Sequence, residues 1–190
     1  MKHYSWPALL LVVILSCHAP GRKATAVIAK TDSPAVRVAP VDTLPARPPS
    51  SYRFEGNQVI VMPFDFEIVL SPKAQARMAE GHETIIVDVS LDGMPRDSSK
   101  VELSEDGSFN LASVRKEIRY GDTARFDHLT FPRKWYDQLA DTDAEISVNV
   151  FSGRKSTKDN LLDVEFLSAK ISSVVRRHIT LRGKLIYGDD

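Results

Sequence analysis

One thiol, five imidazoles and 25 carboxylates are the side chains here that could do covalent or acid–base work. The thiol is Cys17. A lone cysteine forms no internal disulfide framework and no multi-cysteine zinc or iron–sulfur site. His82, His128 and His178 lie in the part of the chain with folded-domain character, and no pair of them has metal-ligand spacing. His82 follows a predicted helix, where an imidazolium suits the dipole. His128 and His178 fall in predicted strands. A His–Asp–Ser set for acyl transfer would have to assemble from distant segments. There is no G-x-S-x-G elbow, H-E-x-x-H pair, Walker loop or G-x-G-x-x-G turn. The run Ser152-Gly153-Arg154-Lys155-Ser156-Thr157 has the residue types of a phosphate loop. It lacks the leading glycine and a following helix pattern, so it reads as a polar hairpin loop. Asp137, Asp141, Asp143 and Glu145 are acidic enough for calcium but lack the glycine and spacing of a calcium loop. They read as a solvated helix end. The expectation is a protein that is not an enzyme and holds no cofactor or metal.

Residues suited to recognition are more prominent. Basic clusters occur at Arg115, Lys116 and Arg119, at Arg133 and Lys134, at Arg154 and Lys155, and at Arg176 and Arg177. Trp135 and Tyr136 adjoin the second cluster. Aromatic residues beside arginine are the types that dominate binding hot spots. Trp135 is expected to anchor its helix in the core and Tyr136 to face outward. The candidate partner-binding set is therefore Tyr136, Arg133, Lys134, Arg154 and Lys155.

Period-two alternation supplies the elements that must position these side chains. Phe64, Phe66, Ile68 and Leu70 alternate with polar or smaller residues, as do Ile85 to Leu91, Ala144 to Val150 and Leu162 to Phe166. Shorter strands are expected at 58–62, 100–103, 109–114, 125–130, 174–181 and 184–187. Turn signals stand at Glu55-Gly56-Asn57, Asp92-Gly93, Asp106-Gly107, Ser152-Gly153 and Arg182-Gly183. Ser71 and Pro72 open a helix that Gly81 would end in a left-handed conformation. A second helix is expected over 132–140, with Trp135, Tyr136 and Leu139 on one face. Short strands without regularly alternating helices imply a mainly β fold: an antiparallel β-sandwich of immunoglobulin- or transthyretin-like layout with two short helices.

Charge and proline content divide the 190 residues. Lys and Arg total 25 against 25 Asp and Glu, a neutrality that argues against a dedicated nucleic-acid binder. Six of the 11 prolines and no aromatic residue fall between His18 and Ser51. Such a segment has little to bury against the entropy of ordering it and reads as a disordered tether. Five basic residues there oppose Asp32 and Asp42, a net +3. With Lys2 set aside, 19 basic and 23 acidic residues remain from Tyr52 onward, a net −4. The expected organisation is a leader over 1–16, Cys17 and the tether over 17–51, and the sandwich over 52–190.

The leader gives Cys17 its meaning. Lys2 precedes an apolar run from Ala8 to Leu15, far short of the roughly 20 residues that span a bilayer but apt for a secretory signal. The run ends in Ile14-Leu15-Ser16-Cys17, which resembles the lipobox of bacterial lipoproteins. Leu15 is larger than the residue commonest at its position. The resemblance implies diacylglycerol on the Cys17 thiol, cleavage before it and acylation of the new amino terminus. His18 in second place implies the outer rather than the inner membrane.

These readings together predict an outer-membrane-anchored periplasmic protein whose sandwich binds another envelope protein. One alternative is an immunity protein that neutralises a periplasm-acting toxin. Another is a secretion-apparatus assembly lipoprotein, since the sheet-plus-helix order is similar in layout to the type VI membrane-complex lipoprotein.

Overall fold

The computed structural model describes residues 50–188. Cys17 and nearly all of the expected tether lie outside them. The chain from Ser50 onward forms eleven strands in three sheets, two α-helices and two 3-10 turns.

Strands β3 (Phe64–Leu70), β4 (Ile85–Gly93) and β8 (Glu145–Ser152) are the spine. Each buries every second residue. On β4, Ile85, Val87, Val89 and Leu91 are fully buried, and Ile146, Val148 and Val150 do the same on β8. One sheet is ordered β10 (Leu167–Lys170), β8, β4, β5 (Phe109–Ile118). The other is ordered β6 (Thr123–Phe126), β3, β11 (His178–Leu185), β9 (Leu162–Val164). Their inner faces contribute to one apolar cluster. This is the expected sandwich with one departure: β3 and β11 pair in parallel, from Asp65↔His178 to Leu70↔Gly183. A third, small sheet of β1 (Tyr52–Glu55), β2 (Gln58–Val61) and β7 (Thr130–Pro132) adds Val59, Val61 and Phe131 to the same core.

Both flanks are crossed by a chain that changes sheet. β5 turns at Gly121 into β6, and β9 passes through Glu165-Phe166 into β10. The expected strand 162–166 is therefore two strands in two sheets. Phe166, expected to face inward, lies at the crossing and is 64% exposed. Lys116 guards the β5 edge. Its position opposite Val87 faces inward, its ammonium donates to the Arg125 carbonyl, and it lies over the Phe126 ring. An inward lysine on an edge strand discourages pairing with another chain. Arg115 and Lys116 thus belong to opposite faces, not to one basic cluster.

Helix α1 (Pro72–Glu80) forms as expected, with the Ser71 hydroxyl accepting from the Ala74 amide at 3.1 Å and Ala74 and Met78 buried. Its exit differs. Gly81 has φ −82°, and the left-handed residue is His82 at φ 49°. The second helix is a single turn, α2 (Arg133–Tyr136). Pro132 offers no side-chain cap, and Leu139 leaves the helical path to be fully buried and to bridge Pro95.

Arg182-Gly183 is no turn. Gly183 lies inside β11, where a Cβ would come within 2.7 Å of Val164 and 3.0 Å of Leu70, so the glycine serves close packing. Asp92-Gly93 likewise ends β4. The expected strand at 100–103 is a 3-10 turn (Ser98–Lys100) running into a loop. The expected strand at 125–130 divides between β6 and β7, which leaves His128 in a loop. Residues 174–177 follow a second 3-10 turn (Ile171–Ser173), and the strands expected at 174–181 and 184–187 merge into β11.

Candidate functional site: the two ends of the sandwich

The register of β8 against β4 defines two ends. Glu145 lies opposite Asp92, and Ser152 lies opposite Ile85. The seven steps between these eight residues, at about 3.3 Å each, separate the ends by roughly 23 Å. Arg133, Lys134 and Tyr136 sit on α2 at the Glu145 end, while Arg154 and Lys155 follow β8 at the other. The structure therefore divides the sequence-predicted set between two surfaces.

Aromatic packing builds the first surface. Tyr136 is half-buried rather than free. Its ring meets Tyr52 edge-on at 5.4 Å and Phe54 at 5.0 Å, and Tyr52 meets Phe131 at 6.1 Å. Burial pushes the Tyr52 phenol well above its ordinary pKa, and its oxygen accepts from the Ala144 amide. The exposed member of the row is Phe54, 42% accessible, with the Arg133 guanidinium 5.1 Å from its ring centre. The Lys134 ammonium lies 4.4 Å from the Trp135 ring. Trp135, expected in the core, is half-buried. It helps line a cleft of about 360 Å3 with Val101, Leu103 and Phe109. Leu103, in its wall, and Met94, at the start of the same segment, are exposed at 42% and 54%.

The 94–108 segment that carries Met94 and Leu103 is held by backbone groups far away in sequence. The Arg96 amide donates to the Gln138 carbonyl at 2.7 Å, and its side-chain Nε to the Leu139 carbonyl at 2.6 Å. On its other side opens a cavity of about 520 Å3 lined by Asp92, Glu105, Asp106, Asp141, Asp143 and Glu145. Lys170 is the cation among its described lining residues. The Asp143 amide and Lys170 hold the Asp141 carboxyl below its usual range, and the Ser108 hydroxyl and amide do the same for Asp106. Asp143 accepts from the Ser172 amide and hydroxyl. These carboxylates line a wall rather than converge. Among the described residues no group of three is placed to hold a metal ion.

A buried carboxylate organises the opposite end. Glu83 is 6% exposed, directly after the strained His82. It accepts from the Lys155 amide at 2.9 and 3.0 Å, the Ser156 amide at 2.9 Å, the Ser156 hydroxyl at 2.9 Å and the Thr84 amide at 3.1 Å. Burial alone would push its pKa up, but these donors outweigh burial and hold the carboxyl below its ordinary value. Successive amides aimed at one anion form a nest. The loop with phosphate-loop residue types thus does bind an anion through its backbone, and that anion is the chain's own Glu83. Gly153 is required, because a Cβ there would lie 1.9 Å from the Thr84 hydroxyl. Arg154 has φ 58°, and its guanidinium lies 5.9 Å from the Phe151 ring centre. The Arg115 guanidinium lies 5.5 Å from the same ring.

The histidines stay apart. His82 and His128 are exposed, and His178 pairs with Asp65 through Nδ1 and with Glu67 through Nε2 at 3.4 Å. The hydrogen bond to Asp65, followed by that to Glu67, raises the His178 pKa. An imidazole between two carboxylates is an ion-pair clamp across the parallel β3–β11 pair, not the acid–base–nucleophile order of acyl transfer. Against known proteins, the chain matches no family model, no curated protein and no solved structure.

Proposed function

We propose that this chain is a non-enzymatic lipoprotein, acylated on Cys17 and anchored to the periplasmic face of the bacterial outer membrane, whose sandwich docks another envelope protein. The docking surface is the end that carries α2. The observation that carries this reading is the Arg133–Phe54–Tyr136 row. It presents an exposed aromatic ring, a guanidinium in cation–π range of it, and a tyrosine packed on Tyr52 behind it. Preordered aromatic and arginine groups lose little side-chain entropy on binding. The cleft lined by Trp135 and Leu103 beside it can receive an apolar side chain. The lipid anchor is supported by the lipobox-like sequence alone.

Two measurements test the halves separately. Cys17→Ser should move the protein from the membrane fraction to the soluble periplasmic fraction; unchanged retention sinks the anchor. A photo-crosslinker in place of Phe54, in intact cells, should yield one discrete protein adduct, while the same group at Asn149 on the polar sheet face should not. Equal labelling from both positions sinks the docking surface. The identity of the adduct separates a neutralised toxin from a secretion-apparatus component.

A further inference from the structure

We propose that the latched 153–158 loop docks a second copy of this chain, entering that copy's acidic end in a head-to-tail association. The inference stands apart from the docking of an envelope partner at Phe54 and Arg133, because it uses the opposite end of the sandwich.

The loop itself carries the argument. Arginine in the left-handed region is strained and persists only where the surroundings over-determine it. Here they do. The Gly153 amide donates to the Thr84 carbonyl at 2.7 Å, Glu83 captures the Lys155 and Ser156 amides just beyond Arg154, and the Ser152 amide donates to Asn160 Oδ1 at 2.9 Å. The Asn160 amide group in turn reaches the Leu162 carbonyl at 2.8 Å. His82 is the second strained residue of this end and directly precedes Glu83. Strain of this kind at an exposed loop tip fixes the backbone that presents a side chain ahead of contact.

The side chain it presents is unpaired. Arg115 has Asp88 at 2.6 Å and Lys155 has Glu117 at 2.9 Å. Arg154 has no carboxylate among the described residues. Its guanidinium lies 5.9 Å from the Phe151 ring centre, and its donors are free to pair with a carboxylate from outside the described residues. The surface is not a uniformly free basic patch, since Arg115 and Lys155 beside Arg154 are already ion-paired. It fits a directional carboxylate contact better than an anionic membrane, which is held by several basic residues together.

Charge complementarity selects the occupant. The other end of the same molecule offers a concave, carboxylate-rich wall whose one cation among the described lining residues is Lys170. A protruding basic loop and a receding acidic cavity terminate the same strand, β8, so the contact is heterologous. It leaves a free loop on one copy and a free cavity on the other, and association can propagate.

Sedimentation velocity on the full chain carrying Cys17→Ser, so that no acyl group drives assembly, tests this. The expected result is concentration-dependent association that weakens roughly tenfold or more between about 50 and about 300 mM salt. Arg154→Glu and Glu105→Lys change exposed side chains at opposite ends and should each weaken it at least as much. Arg154→Lys should retain part of it. The two charge variants mixed in equal amounts should recover a dimer that grows no further, because each supplies one intact surface. A wild-type chain that stays monomeric, an Arg154→Glu variant that associates normally, or a mixture that forms no dimer overturns the proposal. Anionic vesicles that bind through Arg154 without self-association would assign the loop to a membrane and overturn it equally.

Discussion

The two ends of β8 are built on opposite plans. At the Glu145 end, loops from distant parts of the chain lean on one another through a few backbone hydrogen bonds and leave Phe54, Met94 and Leu103 exposed. At the Ser152 end, one buried carboxylate gathers three amides and a hydroxyl, and the exposed side chains of Tyr120, Ile186 and Tyr187 lie on the same end without belonging to that network. The loops of the first end are ordered by apolar and aromatic packing, and the loop of the second by a polar network. The difference teaches that an exposed surface on a sandwich can be ordered in two ways: apolar anchors beneath it, or a polar network with every member satisfied. Each plan has its own weak point, and substitutions can separate them.

The largest effect should come from the anchor. Leu139 is fully buried beside Gly93, and its carbonyl holds Arg96. Leu139→Ala should cost about 2–5 kcal/mol in urea unfolding and loosen the Glu145 end selectively. Hydrogen exchange should rise at 94–108 and not at 153–160. A uniform rise would mean that the two ends are not separately ordered.

Next is the latch. Glu83→Gln turns one accepting oxygen into a donor that faces amides, and should cost about 1–3 kcal/mol. The pH dependence has a definite sign. The folded-state pKa of Glu83 lies below its ordinary value. Its contribution is therefore complete above the unfolded carboxylate range, near 4.3, and is lost as pH falls through the folded value. Wild type and Glu83→Gln should converge in stability on acidification. A gap that holds constant to low pH would show that Glu83 acts through packing rather than charge.

Much of this plan was legible in the sequence, for a local reason. Alternation named the buried faces of β3, β4 and β8 because strand periodicity is a property of consecutive residues. Ser71 and Pro72 marked the start of α1 for the same reason. What could not be read was set by distant partners. The parallel β3–β11 pair joins residues more than 100 apart in sequence, and no local pattern carries that register. Gly183 looked like a turn because a glycine for close packing and a glycine for a turn are the same letter. Phe166 looked buried because the alternation continued through the point where the chain changes sheet. Of the candidate surface, Arg133, Lys134 and Tyr136 were visible as residue types. Phe54 and Leu103 were not, since nothing near them marks exposure. Glu83 gave no signal, because the anion filling a nest can come from anywhere in the chain.

His178 belongs to neither end and provides a control of opposite sign. Its pKa is raised in the folded state, first by Asp65 and then by Glu67. The stability it contributes is fully present below the ordinary histidine pKa of about 6.5 and is lost as pH rises through the folded value. His178→Gln should lower the melting temperature at mildly acidic pH and leave it nearly unchanged at alkaline pH, the reverse of the Glu83 pattern. Equal losses at both would show that the ring matters for packing across β3 and β11 rather than for its charge.

The smallest expected effect on folding sharpens the comparison most. Phe54 lies on β1, the edge strand of the small sheet, with 42% of its surface in water. Its contacts are the Tyr136 ring edge and the Arg133 guanidinium. Truncating it removes one aromatic pair and one cation–π contact, each worth about 0.5–1.5 kcal/mol at most in a partly exposed setting. Phe54→Ala should therefore shift the urea midpoint little and leave the slope of the transition unchanged. Crosslinking to an envelope partner from a photo-reactive group at Leu103 should nevertheless fall sharply. An exposed aromatic kept in a preordered row contributes little to the fold that holds it and much to whatever covers it. If Phe54→Ala instead costs as much stability as Leu139→Ala, the row is core that happens to touch solvent, and the Glu145 end is ordered for folding rather than for contact.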